Sequence, residues 1–165
     1  MTIKTGDKIP AVTLKQLTPG GMQDLSTDSV FAGKKVVMFA VPGAFTPTCS
    51  AKHLPGFVNH LQEFKAQGID VACLSVNDPF VMKAWGESAK ADGITMLADG
   101  NGSFTKALGL ELDGAAHGLG QRCQRFALYA ENGVVKSLAV EKPGAFEVSS
   151  AEAMLKAVGG QKAAA

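Results

Sequence analysis

Three cysteines are the side chains of this sequence best suited to covalent chemistry, and they lie at positions 49, 73 and 123. Cys49 follows an apolar strand and a Pro/Gly turn, and it stands in the first turn of a predicted helix. Unpaired backbone N–H groups and the helix dipole favour a thiolate over a thiol at such a position. We therefore expect Cys49 to be a nucleophile, with the Thr46 hydroxyl near its sulfur and Pro42 and Phe45 as pocket walls.

The other two cysteines offer weaker chemistry. Cys73 shares one face of a predicted strand with Ile69 and Val71, and that face is expected to be buried. Cys73 is therefore either a packed residue or a second reactive thiol, and the sequence leaves both open. Cys123 is expected to be a packed bystander, as most lone cysteines are.

Metal and cofactor sites are not indicated. His53 lies four residues after Cys49 on the same helix face, and His60 and Cys73 are conceivable further ligands. The chain has no Cys-x-x-Cys or His-x-x-x-His pair, so we predict no metal. It also has no Gly-x-x-x-x-Gly-Lys motif for phosphate, and we expect no cofactor.

The composition is that of one ordinary globular domain covering residues 1–165, with a frayed tail at about 159–165. Hydrophobic residues make up 46% and charged residues 19%, which excludes a disordered chain. The net charge of +1 gives no reason to expect nucleic acid or an acidic membrane as a partner. Three sparse cysteines and the lack of signal or transit features predict a cytoplasmic protein, or one of an organelle matrix if a presequence has been removed. No apolar run is long enough to span a membrane.

Strands and helices alternate along the chain. Residues 35–41 and 69–76 form apolar runs typical of buried strands. They precede a helical segment from Pro47 to Gly68, which Pro55 is expected to kink, and a helix from Pro79 to about Ala91. The remaining predicted elements are a strand at 95–98, a helix at 103–108, a hairpin of 125–130 with 134–140 around Asn132-Gly133, and a helix at 149–158.

This order predicts an α/β, thioredoxin-like fold, in which helices flank a central mixed β-sheet and extra elements form an N-terminal extension. Ligands gather beyond the carboxyl ends of parallel strands in such sheets. The segment that follows Val41, and therefore Cys49, is expected at such an end.

The segment Pro42-Gly43-Ala44-Phe45-Thr46-Pro47-Thr48-Cys49 resembles the active-site signature of the peroxiredoxins. The continuation at 50–57 and the strand end at 73–80 resemble the subgroup known as type II or type five. Arg125 matches the active-site arginine of that family. The resemblance extends over essentially the whole chain, and the fold that it implies is the thioredoxin-like one.

The resemblance implies a thiol peroxidase that reduces hydrogen peroxide and alkyl hydroperoxides through a sulfenic acid at Cys49. Arg125 would keep the sulfur ionised and bind the peroxide oxygens, and Thr46 would orient both. Pro42 would shield the sulfur from water, and Leu119 would form an apolar wall. The resemblance also implies a homodimer.

Members of this subgroup return the sulfenic acid to the thiol in different ways. Some carry a resolving cysteine near the last helix, but residues 144–150 contain none here. Cys73 matches the resolving position of the plant-like members, and Cys123 is a third candidate. We favour a one-cysteine cycle in which glutathione, glutaredoxin or thioredoxin is the reductant.

Two other classes of protein share the fold. A thiol-disulfide oxidoreductase would need Cys-x-x-Cys, whereas Ser50, Ala51 and Lys52 follow Cys49. A chaperone-like protein would have no need for Arg125 and Thr46 to converge on one thiolate.

Overall fold

The computed structural model describes residues 2–164, with side chains described as far as Gly159. Its strands are β1 Thr13–Thr18, β2 Gly21–Ser26, β3 Lys35–Val41, β4 Ile69–Ser75, β5 Ile94–Ala98, β6 Glu111–Asp113, β7 Gln121–Cys123, β8 Phe126–Glu131 and β9 Val134–Val140. Its α-helices are α1 Thr27–Phe31, α2 Leu54–Asn59, α3 Leu61–Lys65, α4 Pro79–Ser88, α5 Ser103–Leu108 and α6 Ala151–Ala164. A π-helix spans Cys49–His53 and a 3-10 helix spans Ala115–His117.

Within the described residues, seven strands form one mixed sheet in the order β2-β1-β5-β4-β3-β8-β9, and β6 pairs with β7 separately. The central strands β3, β4 and β5 are parallel, whereas β8 runs antiparallel to β3. This arrangement confirms the predicted mixed sheet. The carboxyl ends of β3 and β4 therefore lie side by side, and Val41 pairs with Ser75 there.

The apolar run of β3 is buried on both faces because helices cover both sides of the sheet. Val37, Phe39 and Val41 belong to a core shared with α2, α3, α4 and α6. The alternate residues of the same strand belong to a second core, to which α1 and α5 contribute. A strand buried on both faces leaves only its ends for chemistry, which is where the candidate site lies.

The predicted N-terminal extension is a β-hairpin, β1 with β2, that pairs with β5 at the sheet edge. The small β6–β7 hairpin and helix α1 escaped prediction because they are short and weakly patterned. The helix expected to end near Ala91 ends at Ser88, and the last helix begins at Ala151 rather than 149. The hairpin at Asn132-Gly133 is confirmed. The single domain and the frayed tail stay predictions, and most of the tail lies outside the residues whose side chains are described.

The helical segment after Cys49 does not form one α-helix kinked at Pro55. From Cys49 the segment forms a π-helix, in which the Leu54 N–H donates to the Cys49 carbonyl. It continues as α2, with Pro55 in the first turn. Proline tolerates that position because it has no N–H to place. The break comes later, at His60, which separates α2 from α3. None of the helices in the described residues is long and apolar enough to cross a membrane.

Candidate active site

The turn that leaves β3 is held in place by the end of β4. The Ala44 N–H donates to Asn77 Oδ1 at 3.0 Å, and the Ser75 hydroxyl donates to the same oxygen at 2.5 Å. Phe45 then adopts a φ of +65°, which is unusual for a residue with a side chain. The turn is therefore fixed by its neighbours in a conformation that it would rarely adopt alone.

Cys49 is the first residue of the π-helix, and it is fully buried. Arg125, which immediately precedes β8, donates from Nη2 to the Cys49 sulfur at 3.1 Å. The two residues are far apart in the sequence, and the β3–β8 pairing brings them together. A guanidinium at this distance stabilises a thiolate by charge and by a hydrogen bond.

His53 holds the other arm of the guanidinium. Arg125 Nη1 lies 2.8 Å from His53 Nδ1, and His53 Nε2 lies 2.9 Å from the Ser149 carbonyl oxygen. A guanidinium can only donate, so Nδ1 accepts and Nε2 carries the proton that bonds to Ser149. Burial, together with the charge of Arg125 and against the Ser149 hydrogen bond, lowers the pKa of His53 to about 3. The imidazole is therefore neutral and fixed in one tautomer.

The loop from Glu141 to Ser149 lies over this pair. Phe146 packs edge-on against the His53 ring, with centroids 5.0 Å apart, and faces the Arg125 guanidinium at 5.8 Å. Burial opposes ionisation of Glu141, but hydrogen bonds from Ser149 and its neighbours in the loop lower the pKa of that carboxyl. The loop thus presents an aromatic ring and a carbonyl to the site and is itself tied to a carboxylate.

A cavity of about 490 Å³ opens beside the arginine. Pro42, Thr48, Leu119, Glu141 and Ala145 contribute to its lining. Its mixed apolar and polar lining suits a small molecule with one polar group.

The sequence-predicted pocket residues fall in different places. Pro42 and Leu119 contribute to the lining of the cavity. Phe45 is not among the residues that line the cavity, and it is 54% exposed. The Thr46 hydroxyl donates to the Gly43 carbonyl at 2.6 Å, which leaves its oxygen lone pairs to accept a further hydrogen bond.

Cys73 and Cys123 are both fully buried, and all three cysteines are free thiols. Burial raises the pKa of Cys73 well above its usual value, and the nearby Cys49 adds to the effect. Burial raises the pKa of Cys123 to about 12. Neither thiol is ionised to a useful extent near neutral pH, and the burial of Cys73 on the strand agrees with its predicted face.

Sequence reasoning misses most of the residues that support the site. It suggests His53 only as a conceivable metal ligand, although the position of His53 four residues after Cys49 is an available signal. Glu141, Ser149 and Asn77 give no signal, because each acts through contacts between distant segments. The structure also shows that the Trp85 indole donates to the Ser50 hydroxyl at 3.1 Å, which ties α4 to the active-site helix.

The second histidine that the sequence offers as a conceivable metal ligand has other partners. His60 hydrogen-bonds to Glu63 and Glu152 on the surface. Among the described residues, no group of three or more His, Cys, Asp or Glu side chains is placed to hold a metal ion.

The fold and the site together define an enzyme of thiol chemistry, built on a buried cysteine that is paired with an arginine at the carboxyl end of a parallel strand. Comparison with known proteins defines the family. The sequence matches the Redoxin family over residues 4–155. The chain belongs to this family and is a peroxiredoxin, a thiol peroxidase of the type II kind.

Individual relatives agree with this assignment. The chain is 53% identical over 163 residues to peroxiredoxin-2E, chloroplastic, of Arabidopsis thaliana, covering 95% of this chain and 70% of that protein. It is 50% identical to peroxiredoxin-2D of the same plant, covering 94% and 98%. The crystal structure of reduced Prx3 in complex with H₂O₂ from Vibrio vulnificus superimposes with a TM-score of 0.92 at 56% identity, covering 95% of this chain and 99% of that one. The predicted thioredoxin-like fold and peroxidase activity are confirmed.

Proposed function

We propose that Cys49 is the residue that reacts with peroxide and that Arg125, Thr46 and Pro42 assist it. The observation that carries this proposal is the 3.1 Å hydrogen bond from Arg125 to the sulfur of a fully buried cysteine. A fixed cation in a dry site stabilises the thiolate before reaction and the charge that develops during it. Reduced Prx3 from Vibrio vulnificus forms a complex with H₂O₂ in its crystal structure, which supports the same substrate for this chain.

In the proposed first step the Cys49 thiolate attacks one oxygen of the peroxide. A sulfur–oxygen bond forms as the oxygen–oxygen bond breaks, and the bonding electrons leave with the second oxygen. That oxygen takes a proton and departs as water or an alcohol, so the cysteine is oxidised by two electrons to a sulfenic acid. Arg125 donates to the departing oxygen, and Thr46, whose own proton is held by Gly43, accepts from the peroxide O–H.

In the proposed second step an external thiol restores Cys49. The thiol attacks the sulfenic sulfur and releases water, and a second thiol then displaces Cys49 from the mixed disulfide. Glutathione, glutaredoxin or thioredoxin can supply these thiols. Two observations favour this route: Cys73 is buried with a raised pKa, and residues 144–150 contain no cysteine.

The proposal includes a homodimer in a reducing compartment, the cytoplasm. Phe45 and Phe80 are 54% and 61% exposed, and the hydrogen bond between Ala44 and Asn77 joins the turn that carries Phe45 to the segment just before α4, in which Phe80 is the second residue. Large exposed aromatic side chains near one another are typical of an interface. Three free cysteines support a reducing compartment, and cell fractionation with an antibody tests it.

Intact mass spectrometry after one equivalent of hydrogen peroxide tests the assignment. The wild-type chain and Cys73→Ser are expected to gain the mass of one oxygen atom, and Cys49→Ser is expected to gain nothing and to lose peroxide turnover. Glutathione added afterwards should appear as a mixed disulfide on Cys49. Oxidation of Cys49→Ser at the wild-type rate would contradict the assignment of the nucleophile. A loss of two hydrogens from the wild type, together with an oxygen gain in Cys73→Ser, would show an internal disulfide instead.

A further inference from the structure

Glu141 is a buried carboxylate whose partners belong to the loop above the active site. One oxygen, Oε2, accepts the N–H groups of Glu147, Val148 and Ser149 at 2.8, 2.9 and 2.8 Å. The same oxygen accepts the Ser149 hydroxyl at 2.7 Å. Four donors on one buried oxygen fix the end of this loop more firmly than an ordinary turn would.

The loop end fixed in this way carries the carbonyl that selects the His53 tautomer. The Ser149 N–H and hydroxyl bind the carboxylate, and the Ser149 carbonyl accepts from His53 Nε2. If Ser149 moved, His53 could carry its proton on Nδ1 instead. An Nδ1 proton would face the Nη1 donor of Arg125, and two donors cannot share one hydrogen bond.

Arg125 depends on His53 for its orientation. The guanidinium is planar, so the bond from Nη1 to the imidazole at 2.8 Å sets where Nη2 points. Nη2 is the arm that meets the Cys49 sulfur at 3.1 Å. The main chains of the two residues are also joined, because the backbone N–H of Glu141 donates to the Arg125 carbonyl at 2.9 Å.

We propose that Glu141 is a positioning residue for the peroxidase reaction, acting through Ser149, His53 and Arg125 on the sulfur of Cys49. The inference rests on the proposed roles of Cys49 and Arg125. The carboxylate does not touch the reacting atoms; it holds the loop whose carbonyl keeps His53 as an acceptor for the arginine. The consequence is that a side chain at the start of the loop controls how the guanidinium meets the sulfur of Cys49, and therefore how fast that sulfur reacts.

Two variants of Glu141 test whether its acceptor oxygens and its charge are needed. Glu141→Ala removes the acceptor and leaves four donors unpaired, whereas Glu141→Gln keeps one oxygen and loses the charge. Glu147→Gln is the matched control, because it removes a carboxylate from an exposed side chain of the same loop. If the alanine variant does not fold, the glutamine variant carries the test.

The first readout is the ¹⁵N spectrum of the His53 ring, which reports the tautomer without reference to activity. Wild type and Glu147→Gln should show Nε2 protonated and Nδ1 unprotonated, and the Glu141 variants should show a mixture of tautomers. The second readout is the rate of iodoacetamide alkylation of Cys49 at pH 7. We expect it to fall about tenfold in the Glu141 variants, because small misplacements of reacting groups have effects of up to about a hundredfold.

A folded Glu141 variant that keeps either the wild-type tautomer or the wild-type alkylation rate overturns the inference. Failure of the underlying assignment is recognised separately, since it would appear as peroxide turnover that survives in Cys49→Ser.

Discussion

Arg125→Lys tests the geometry of the site rather than its charge. The guanidinium reaches Cys49 with Nη2 and His53 with Nη1, at 3.1 and 2.8 Å. A lysine ammonium keeps the positive charge, but it is a single point and cannot span both partners. The lysine variant therefore keeps a cation near the sulfur but loses one of the two hydrogen bonds that the guanidinium makes to Cys49 and His53.

The expected size of the effect follows from that single lost bond. A hydrogen bond to a charged group contributes about 1.5–3 kcal/mol. At about 1.36 kcal/mol for each factor of ten, the rate constant for oxidation of Cys49 by hydrogen peroxide should fall about 10- to 150-fold. Stopped-flow fluorescence of Trp85, the single tryptophan, measures this rate, because its indole N–H donates to the hydroxyl of Ser50, the residue next to Cys49.

Arg122→Lys is the matched control, since it makes the same change at the only other arginine. Arg122 donates to the carbonyls of Leu119 at 2.8 Å and Val76 at 3.2 Å, and no hydrogen bond joins it to Cys49 or His53. We expect its oxidation rate to stay within about threefold of wild type. A folded Arg125→Lys protein that reacts as fast as Arg122→Lys would refute the two-armed role of the guanidinium.

Two further predictions concern stability and assembly. Hydrogen bonding to Glu63, followed by the charges of Glu63 and Glu152, raises the pKa of His60. Its imidazolium therefore stabilises the fold below the unfolded-state value of 6.5, and this contribution is lost as the pH rises through the higher folded value. Since both carboxylates are exposed, His60→Gln should lower the free energy of unfolding by about 0.5–1 kcal/mol at pH 5.5 and by nearly nothing at pH 9, as measured in urea. The proposed dimer interface contains Phe45 and Phe80. Phe80→Glu places a charge in it and should therefore convert the dimer to a monomer in sedimentation velocity.

The controls for these two variants use the same chain. An equal loss of stability at both pH values in His60→Gln would mean that packing, not charge, links α3 to α6. Met22→Glu places the same charge on another exposed apolar side chain, on the edge strand β2, and should remain dimeric. A Phe80→Glu protein that sediments like Met22→Glu would place the interface elsewhere.

Much of the fold could be predicted because its signals are local. The run Val36–Val41 is continuously apolar and half of its residues are valine, and it forms most of the central strand β3. Asp78-Pro79 marks the start of α4, where the Asp78 side chain caps the helix by accepting the Val81 N–H at 2.8 Å. Elements without such signals were missed, among them the β6–β7 hairpin, in which each strand has three residues.

The active-site helix shows where local rules reach their limit. Pro55 predicts a kink because an interior proline removes a hydrogen bond. In the structure a π-helical turn precedes the proline instead. Pro55 then stands in the first turn of α2, where its missing N–H breaks no hydrogen bond of that helix. In this arrangement Phe57 of α2 stacks on Phe39 of β3, with ring centroids 4.0 Å apart.

The sequence by itself determined the family and pointed to Cys49 as the nucleophile, because the turn, the helix start and the residues from Pro42 to Cys49 are contiguous. It also supplied Arg125, through the resemblance of the surrounding motif. The tertiary structure decided what those residues contact. Strand pairing brings Arg125 to the sulfur, and the loop fixed by Glu141 determines the tautomer of His53. Hydrogen bonds between segments so far apart depend on three-dimensional placement, which spacing along the chain does not specify.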